Sequence, residues 1–131
     1  MKKKILYIED NEQNLYLVKY LLEKSGYEVV NARDGKLGIE AASSSGPALI
    51  LLDIQLPVMD GYAVAKKLRE TPNLAGIPLV AVTSYAMAGD RERALEAGCT
   101  GYIEKPINPE TFLRKIEQYL ADASPSGGPP K

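Results

Sequence analysis

The chain has 131 residues, about the length of one domain with a single hydrophobic core. Apolar residues make up 45% and charged residues 25%, which is typical of a soluble globular protein and excludes a disordered or fibrous chain. The formal net charge of −1 provides no overall field that would attract nucleic acid or an anionic membrane. We therefore expect one folded domain that meets its partners through local surfaces, with no direct binding to nucleic acid or membrane.

Histidine is absent from the sequence, and Cys99 is the only cysteine. The absence of histidine excludes Ser-His-Asp and Cys-His catalysis and histidine-ligated zinc sites. One cysteine cannot form an internal disulfide, and residues 1–20 contain no apolar segment like that of a signal peptide. We therefore expect a cytoplasmic location and a chemistry based on carboxylates, hydroxyls and lysines.

Five short segments are rich in β-branched or aromatic residues and are mostly apolar without interruption. They are residues 4–9, 27–32, 48–53, 78–83 and 100–104. This pattern predicts strands that are buried on both faces of a sheet.

Helical patterns lie between these strands. In the first, apolar residues recur at helical spacing from Leu15 to Leu22, and Gly26 follows where a C-terminal cap is expected. Asp34 and Asp60 stand where N-caps of the next helices are expected. These further helices are predicted at residues 34–45, 61–70, 89–97 and 108–121.

The alternation gives five βα units. Continuously apolar strands joined by crossover helices indicate a parallel sheet with helices on both faces, which is a doubly wound α/β fold. We expect this domain to span residues 1–122. Residues 123–131 are rich in proline, glycine and serine and are predicted to form a disordered tail or the stub of a linker.

Reactive side chains follow the strands of this predicted sheet. In a doubly wound sheet, functional groups gather beyond the carboxyl ends of the strands, near the point where the strand order reverses. Each of these residues alone could be an ordinary cap or surface group, but together they favour a functional site. They are Glu9 and Asp10 after the first strand, Asp53 at the end of the third, Thr83 and Ser84 at the end of the fourth, and Lys105 and Pro106 after the fifth.

Electrostatics limits what such a cluster can do. Two like charges ~4 Å apart repel by about 4 kcal/mol at an effective dielectric near 20, so a positive charge is needed among the carboxylates. Oxygen ligands without histidine or cysteine suit Mg²⁺. With that ion present, Asp53 could act as a nucleophile toward a phosphoryl group, while Lys105 neutralises charge and Thr83 donates a hydrogen bond.

Four motifs occur in a fixed order: "YIEDN", "LLDIQLPVMDG", "VAVTSYA" and "GYIEKPI". Over residues 4–121 they resemble the receiver domain of bacterial two-component response regulators, in the CheY-like superfamily. The stretch "VTSYAMAGDRERALEAGCTGYIEKPI" is similar to single-domain regulators of the DivK type and to receivers attached to hybrid histidine kinases. The resemblance implies a flavodoxin-like (βα)5 fold with strand order 2-1-3-4-5.

The resemblance implies a role for each acidic residue. Asp53 would take a phosphoryl group from a phosphohistidine of a sensor histidine kinase or phosphotransfer protein. The chain would then be a signalling module rather than an enzyme, with only self-catalysed phosphotransfer and slow autodephosphorylation. Asp10 and Asp53 would bind Mg²⁺ through their side chains and Gln55 through its backbone carbonyl. Glu9, which stands where the family commonly has aspartate, would act mainly through water.

The resemblance also implies a switch. Lys105 would pair with Asp53 or with its phosphoryl group, and Thr83 and Ser84 would bind that group. Thr83 would move toward it, because a phosphoryl group adds about −1.5 to −2 charges. Tyr102 would turn into the space that Thr83 leaves.

Two loop features complete the expected site. The resemblance implies a cis peptide bond between Lys105 and Pro106. Gln55 and Tyr85 each lie two residues beyond a key site residue, and we hypothesise that they flank the phosphoryl group and tune its hydrolysis by shaping the access of water.

The resemblance places the output surface on the helix at 89–97, the strand at 100–104 and the helix at 108–121. A downstream output protein or domain would bind there after phosphorylation. The chain itself would be a monomer or a weak, phosphorylation-dependent dimer.

Two other classes share part of this pattern. A haloacid-dehalogenase-like phosphatase also forms an aspartyl phosphate with Mg²⁺, but it carries a D-x-D pair, whereas Ile54 and Gln55 follow Asp53 here. A flavodoxin-like FMN carrier would need a phosphate loop at "EDNEQN", which is acidic and would repel the phosphate. No G-x-x-x-x-G-K-[ST] loop for nucleoside triphosphates is present.

Overall fold

The computed structural model describes residues 2–56, 60–83 and 89–122. Strands and helices alternate along the chain, with one short 3₁₀ helix (Pro72–Leu74) before the fourth strand. The strands are β1 (Lys4–Ile8), β2 (Glu28–Ala32), β3 (Leu49–Asp53), β4 (Leu79–Thr83) and β5 (Gly101–Glu104). The helices are α1 (Glu12–Lys24), α2 (Gly35–Ser45), α3 (Gly61–Glu70), α4 (Asp90–Glu96) and α5 (Pro109–Asp122).

The five strands form one parallel sheet in the order β2-β1-β3-β4-β5. The expected α/β fold and strand order are therefore confirmed. The chain moves from β1 to one side to form β2 and then returns to the other side of β1 to form β3. The strand order thus reverses between β1 and β3, and the carboxyl ends of these two strands lie side by side at the switch point.

Burial differs between the central and the edge strands. Every residue of β3 and β4 is buried, and in β1 only the first residue, Lys4, is not. β2 and β5, in contrast, expose part of their length. The expectation that all five strands are buried on both faces is therefore right for the central three and wrong for β2 and β5, because each edge strand has a neighbour on one side only.

Successive residues of the central strands point to opposite faces of the sheet. On one face, Leu6 and Leu52 belong to a cluster that includes residues of α2, α3 and α4. On the other face, Ile5 and Leu51 belong to a cluster with residues of α1 and α5. Because both faces of β1 and β3 are covered, the positions of their carboxyl ends are fixed by packing.

The helices begin and end within one residue of the predicted limits where limits were predicted. Asp34 and Asp60 are N-caps, whose side chains accept hydrogen bonds from Leu37 N at 2.8 Å and Ala63 N at 3.1 Å. The 3₁₀ helix was not predicted, because three residues are too few to show a periodic pattern. Within residues 2–56, 60–83 and 89–122, every helix falls short of the length and apolar character that a membrane span requires. The predicted tail at 123–131 lies outside the described residues.

Gly61 begins α3 where the chain passes close to the end of β3. A Cβ atom at this position would clash with Ile54 Cα and lie 2.9 Å from the carbonyl oxygens of Asp53 and Ile54. We predict that Gly61→Ala lowers the free energy of unfolding by about 2 kcal/mol, because the backbone after Asp53 must shift. Urea denaturation measures this change.

Gly76→Ala is the matched control, because a Cβ atom added at Gly76 would meet no neighbouring group within 4 Å. The control should change stability by less than about 0.5 kcal/mol. Equal stabilities of the two variants would show that the turn after Asp53 accommodates a methyl group.

Candidate functional site

Three carboxylates meet at the carboxyl edge of the sheet. Glu9 and Asp10 directly follow β1, and Asp53 is the last residue of β3. One oxygen atom from each of the three lies within 4.8 Å of the others. Glu9 is 1% exposed and Asp53 3% exposed, whereas Asp10 is less buried. The three acidic residues that were predicted from the sequence to form a site therefore lie together at the switch point of the sheet.

Lys105 brings a positive charge to this cluster. Its Nζ lies 3.1 Å from Glu9 Oε1 and 3.6 Å from Asp53 Oδ2. Its backbone N–H donates to the carbonyl of Thr83 at 2.8 Å, which extends the pairing of β4 with β5 beyond the last strand residue. The peptide bond between Lys105 and Pro106 is cis, the isomer implied by the resemblance. Lys105 thus bridges two carboxylates and lies closer to Glu9.

Glu9 receives hydrogen bonds on both carboxylate oxygens. Tyr7 Oη donates to Oε1 at 2.8 Å and Asn14 Nδ2 at 3.4 Å, while the backbone N–H of Asn11 donates to Oε2 at 3.2 Å. Neither Tyr7 nor Asn14 was predicted from the sequence to be part of the site. Tyr7 could have been found from strand periodicity, because residues two apart in a strand share a face.

Asp53 contacts the backbone of the loop that follows it. Ile54 N donates to the carbonyl of Val82 at 3.1 Å, so the ladder between β3 and β4 continues past Asp53. Gln55 N then donates to Asp53 Oδ1 at 3.1 Å. The backbone of Gln55 is therefore next to the carboxylate.

The structure places two predicted switch residues on neighbouring strands. Thr83 is buried at the end of β4, beside β3. Tyr102 is half-buried in β5 and packs against the cluster on the α2, α3 and α4 side of the sheet. Ser84 and Tyr85 lie outside the described residues.

The proximity of Glu9 and Asp53 moves their pKa values in opposite directions. Burial and the neighbouring Glu9 raise the pKa of Asp53 to about 7. For Glu9, burial acts to raise the pKa, but hydrogen bonds with Asp53 and Tyr7 and the charge of Lys105 together hold that pKa below its usual value. Burial, followed by the charge of Glu9, also raises the pKa of Tyr7, whose hydroxyl therefore stays protonated as a donor. The buried pair thus resists carrying two negative charges at once.

This charge balance fits a divalent cation. Three carboxylates converge, and Lys105 supplies one positive charge to two of them. All the converging side-chain acceptors are oxygen atoms, which are the ligands that Mg²⁺ prefers. The residues Glu9, Asp10 and Asp53 could therefore hold Mg²⁺.

Comparison with known families identifies the class of protein. Residues 5–117 match the model of the response regulator receiver domain, and the chain belongs to this family. Among curated relatives, it is 45% identical to the polar-differentiation response regulator DivK of Brucella anthropi over 123 residues, which cover 94% of this chain and 100% of that protein. The resemblance proposed from the sequence motifs is thereby confirmed.

Solved structures with the same fold include receivers from other organisms. The receiver domain of the sensor histidine kinase PA1611 from Pseudomonas aeruginosa, solved with a magnesium ion in its active site cleft, superposes with a TM-score of 0.86 at 32% identity. That match covers 92% of this chain and 99% of that chain. A CheY-like receiver from Methanospirillum hungatei gives a TM-score of 0.88 at 33% identity and covers 97% of this chain and 100% of that chain.

The raised pKa of Asp53 predicts a pH-dependent cost of folding. In the unfolded chain Asp53 loses its proton near pH 4, whereas in the folded protein it does so near pH 7. The contribution of Asp53 to the free energy of unfolding of the wild type therefore falls as the pH rises from about 4 to about 7. We predict that Asp53→Asn increases the free energy of unfolding without metal by up to about 4 kcal/mol at pH 8, and that the gain disappears at pH 4.

Chemical denaturation at several pH values, with EDTA present, measures this difference. Asp122→Asn is the matched control, because Asp122 is exposed at the end of α5. A gain from Asp53→Asn that does not depend on pH would contradict the electrostatic explanation. Mg²⁺ should stabilise the wild type more than Asp53→Asn, because the substitution removes an anionic oxygen from the cluster.

Proposed function

We propose that the chain is a phosphoacceptor of a two-component phosphorelay. Asp53 takes a phosphoryl group from a phosphohistidine of a sensor histidine kinase or phosphotransfer protein, with Mg²⁺ as the cofactor. The observation that carries this proposal is the position of Asp53: it is buried at the end of β3, beside two further carboxylates and Lys105 in a receiver domain. The donor histidine lies outside residues 1–131, because this sequence contains no histidine.

Asp53 is the nucleophile in this proposal. One of its carboxylate oxygens attacks the phosphorus atom, and the bond from phosphorus to the imidazole nitrogen of the donor breaks. The imidazole keeps the electron pair of that bond and takes up a proton. Attack requires the ionised carboxylate, whose pKa is raised to about 7 by burial first and then by the neighbouring Glu9.

The acidic cluster supplies the metal site. Asp10 and Asp53 would bind Mg²⁺ through their carboxylates and Gln55 through its backbone carbonyl, while Glu9 would act mainly through water. When bound, Mg²⁺ offsets the negative charge of the carboxylates and of the phosphoryl oxygens. This assignment is supported by the magnesium ion in the active site cleft of a related protein, the receiver domain of PA1611.

Lys105 and Thr83 would act on the phosphorylated form. Lys105 Nζ already lies 3.6 Å from Asp53 Oδ2, so its ammonium can pair with a phosphoryl group placed on that carboxylate. Thr83 and Ser84 would donate hydrogen bonds to the phosphoryl oxygens. Movement of Thr83 at the end of β4 would let Tyr102 turn inward from the adjacent strand.

The output surface would be formed by α4, β5 and α5. β5 is an edge strand with partly exposed residues, so its neighbouring helices can meet a downstream protein without opening the core. We propose a monomer or a weak, phosphorylation-dependent dimer located in the cytoplasm, with residues 1–122 as the receiver domain and 123–131 as a tail or linker stub. The chain would be a signalling module whose only reactions are its own phosphorylation and slow dephosphorylation.

Incubation with acetyl phosphate and Mg²⁺ tests the phosphoacceptor directly. We predict that intact-mass spectrometry shows the gain of one phosphoryl group on the wild type and none on Asp53→Asn. Asp60→Asn is the matched control, since Asp60 lies in the same connection but caps α3. It should gain the group like the wild type.

Absence of a mass gain in the wild type would contradict the proposal, and so would two other results. An equal mass gain in Asp53→Asn would place the modification elsewhere. Continuous release of p-nitrophenol from p-nitrophenyl phosphate by the wild type would instead indicate a phosphatase of the haloacid-dehalogenase type.

The lifetime of the phosphorylated form tests the proposed roles of Gln55 and Tyr85. We predict that Gln55→Ala and Tyr85→Ala each change the decay rate of phosphorylated Asp53 several-fold, because smaller side chains alter the access of water to the phosphorus atom. Loss of the phosphoryl mass after removal of acetyl phosphate measures the rate. Tyr62→Ala, in α3, serves as a control for a general effect of removing a tyrosine. Unchanged decay in both loop variants would refute their role.

A further inference from the structure

Tyr7 is a polar side chain that reaches the acidic cluster from inside the core. It is 0% exposed, and its ring belongs to the apolar cluster shared with α1 and α5. Its hydroxyl donates to Glu9 Oε1 at 2.8 Å. Glu9 N donates to the carbonyl of Ala32 at 2.9 Å, so the extended pairing of β1 with β2 continues through Glu9. Tyr7 and Glu9 therefore lie on the same face of one extended segment.

Packing alone does not account for the hydroxyl of Tyr7. A phenylalanine ring would fill the same apolar space without a buried polar atom. A buried phenol requires a hydrogen-bond partner, and in the described part of the chain that partner is the Glu9 carboxylate. The hydroxyl thus connects a rigid core position to a charged group of the site.

The donors around Glu9 differ in how firmly they are held. Lys105 Nζ lies 3.1 Å from Oε1, but the same ammonium also faces Asp53 and would pair with its phosphoryl group. Tyr7 is fixed by the packing of its ring, and the backbone N–H of Asn11 is fixed as part of the N-cap of α1. When Lys105 turns toward Asp53, Tyr7 and Asn11 still hold the Glu9 carboxylate.

We propose that Tyr7 is a positioning residue that orients the Glu9 carboxylate toward the bound divalent cation and thereby sets the affinity of the site for Mg²⁺. Glutamate has one more rotatable bond than aspartate, so its carboxylate must lose more freedom on ordering at the site. The hydrogen bond from Tyr7 restricts that freedom before the ion binds, as outer partners of metal ligands do. This inference rests on the proposed function, because it requires Mg²⁺ at this cluster.

The test measures Mg²⁺ binding to Tyr7→Phe by isothermal titration calorimetry without any phosphoryl donor. We expect the dissociation constant for Mg²⁺ to rise about tenfold, the effect typical of removing an outer hydrogen-bond partner. The increase in Tm produced by a subsaturating Mg²⁺ concentration should shrink correspondingly. Tyr27→Phe is the matched control: Tyr27 packs against the same apolar cluster but lies on the turn before β2, and its variant should bind Mg²⁺ like the wild type.

A double-mutant cycle separates positioning of Glu9 from a general change in the core. In a Glu9→Ala background, Tyr7→Phe should leave the dissociation constant for Mg²⁺ unchanged, because its target carboxylate is gone. An equal loss in both backgrounds would overturn the inference. The inference would also be overturned if the single variant Tyr7→Phe bound Mg²⁺ with the dissociation constant of the wild type. Because the calorimetry is done well below the melting transition, a lower Tm of Tyr7→Phe without metal does not alter the comparison.

The experiment also distinguishes this inference from the proposed function. If the wild type gains a phosphoryl group on Asp53, and Tyr7→Phe binds Mg²⁺ with the same dissociation constant as the wild type, only the role of Tyr7 is refuted. A wild-type chain that does not bind Mg²⁺ would refute the metal site and the role of Tyr7 together. Failure of Asp53 to gain a phosphoryl group, with the tenfold effect on Mg²⁺ intact, would refute only the phosphotransfer.

Discussion

The placement of two buried carboxylates side by side is the constraint on which the rest of the site depends. Glu9 and Asp53 both stand at the ends of apolar strands and are almost completely shielded from water. Burial first, and then the neighbouring Glu9, raises the pKa of Asp53, because two negative charges repel strongly in such a place. The surrounding donors favour a charge on Glu9 rather than on Asp53, so the proposed nucleophile is the carboxylate with the raised pKa.

The fold makes this arrangement possible because packing, rather than the site itself, fixes the positions of the strand ends. β1 and β3 are neighbours, and their residues pack on both faces of the sheet. The energy of these apolar contacts holds the carboxylates close together against their repulsion. The chain then leaves β3 through a connection that returns to it at Gly61, whose N–H donates to the carbonyl of Ile54 at 2.9 Å. The edge strands contribute less to this core and can be partly exposed.

Much of the fold follows from local pattern, since continuously apolar strands require cover on both faces. The strand order came from the family resemblance, because periodicity does not determine which strands are neighbours. The acidic residues of the site were predictable, as parallel strands bring their carboxyl ends to one edge. Tyr7 was not, because a tyrosine within an apolar run is typical of the core and only the folded distance shows its hydroxyl at Glu9. The preference of Lys105 for Glu9 over Asp53 also depends on side-chain positions that sequence does not specify.

Lys105 contacts both the carboxylates of the site and the end of the edge strand β5. Its ammonium is shared by Glu9 and Asp53, while its backbone is bound to the carbonyl of Thr83. A phosphoryl group on Asp53 would add negative charge on one side of this lysine and so draw the ammonium away from Glu9. Lys105 directly follows β5, so the residue that would respond to this charge also lies next to the strand that carries Tyr102. A change of partner at one ammonium would therefore be a short physical route from the proposed phosphoacceptor to the proposed output surface on α4, β5 and α5.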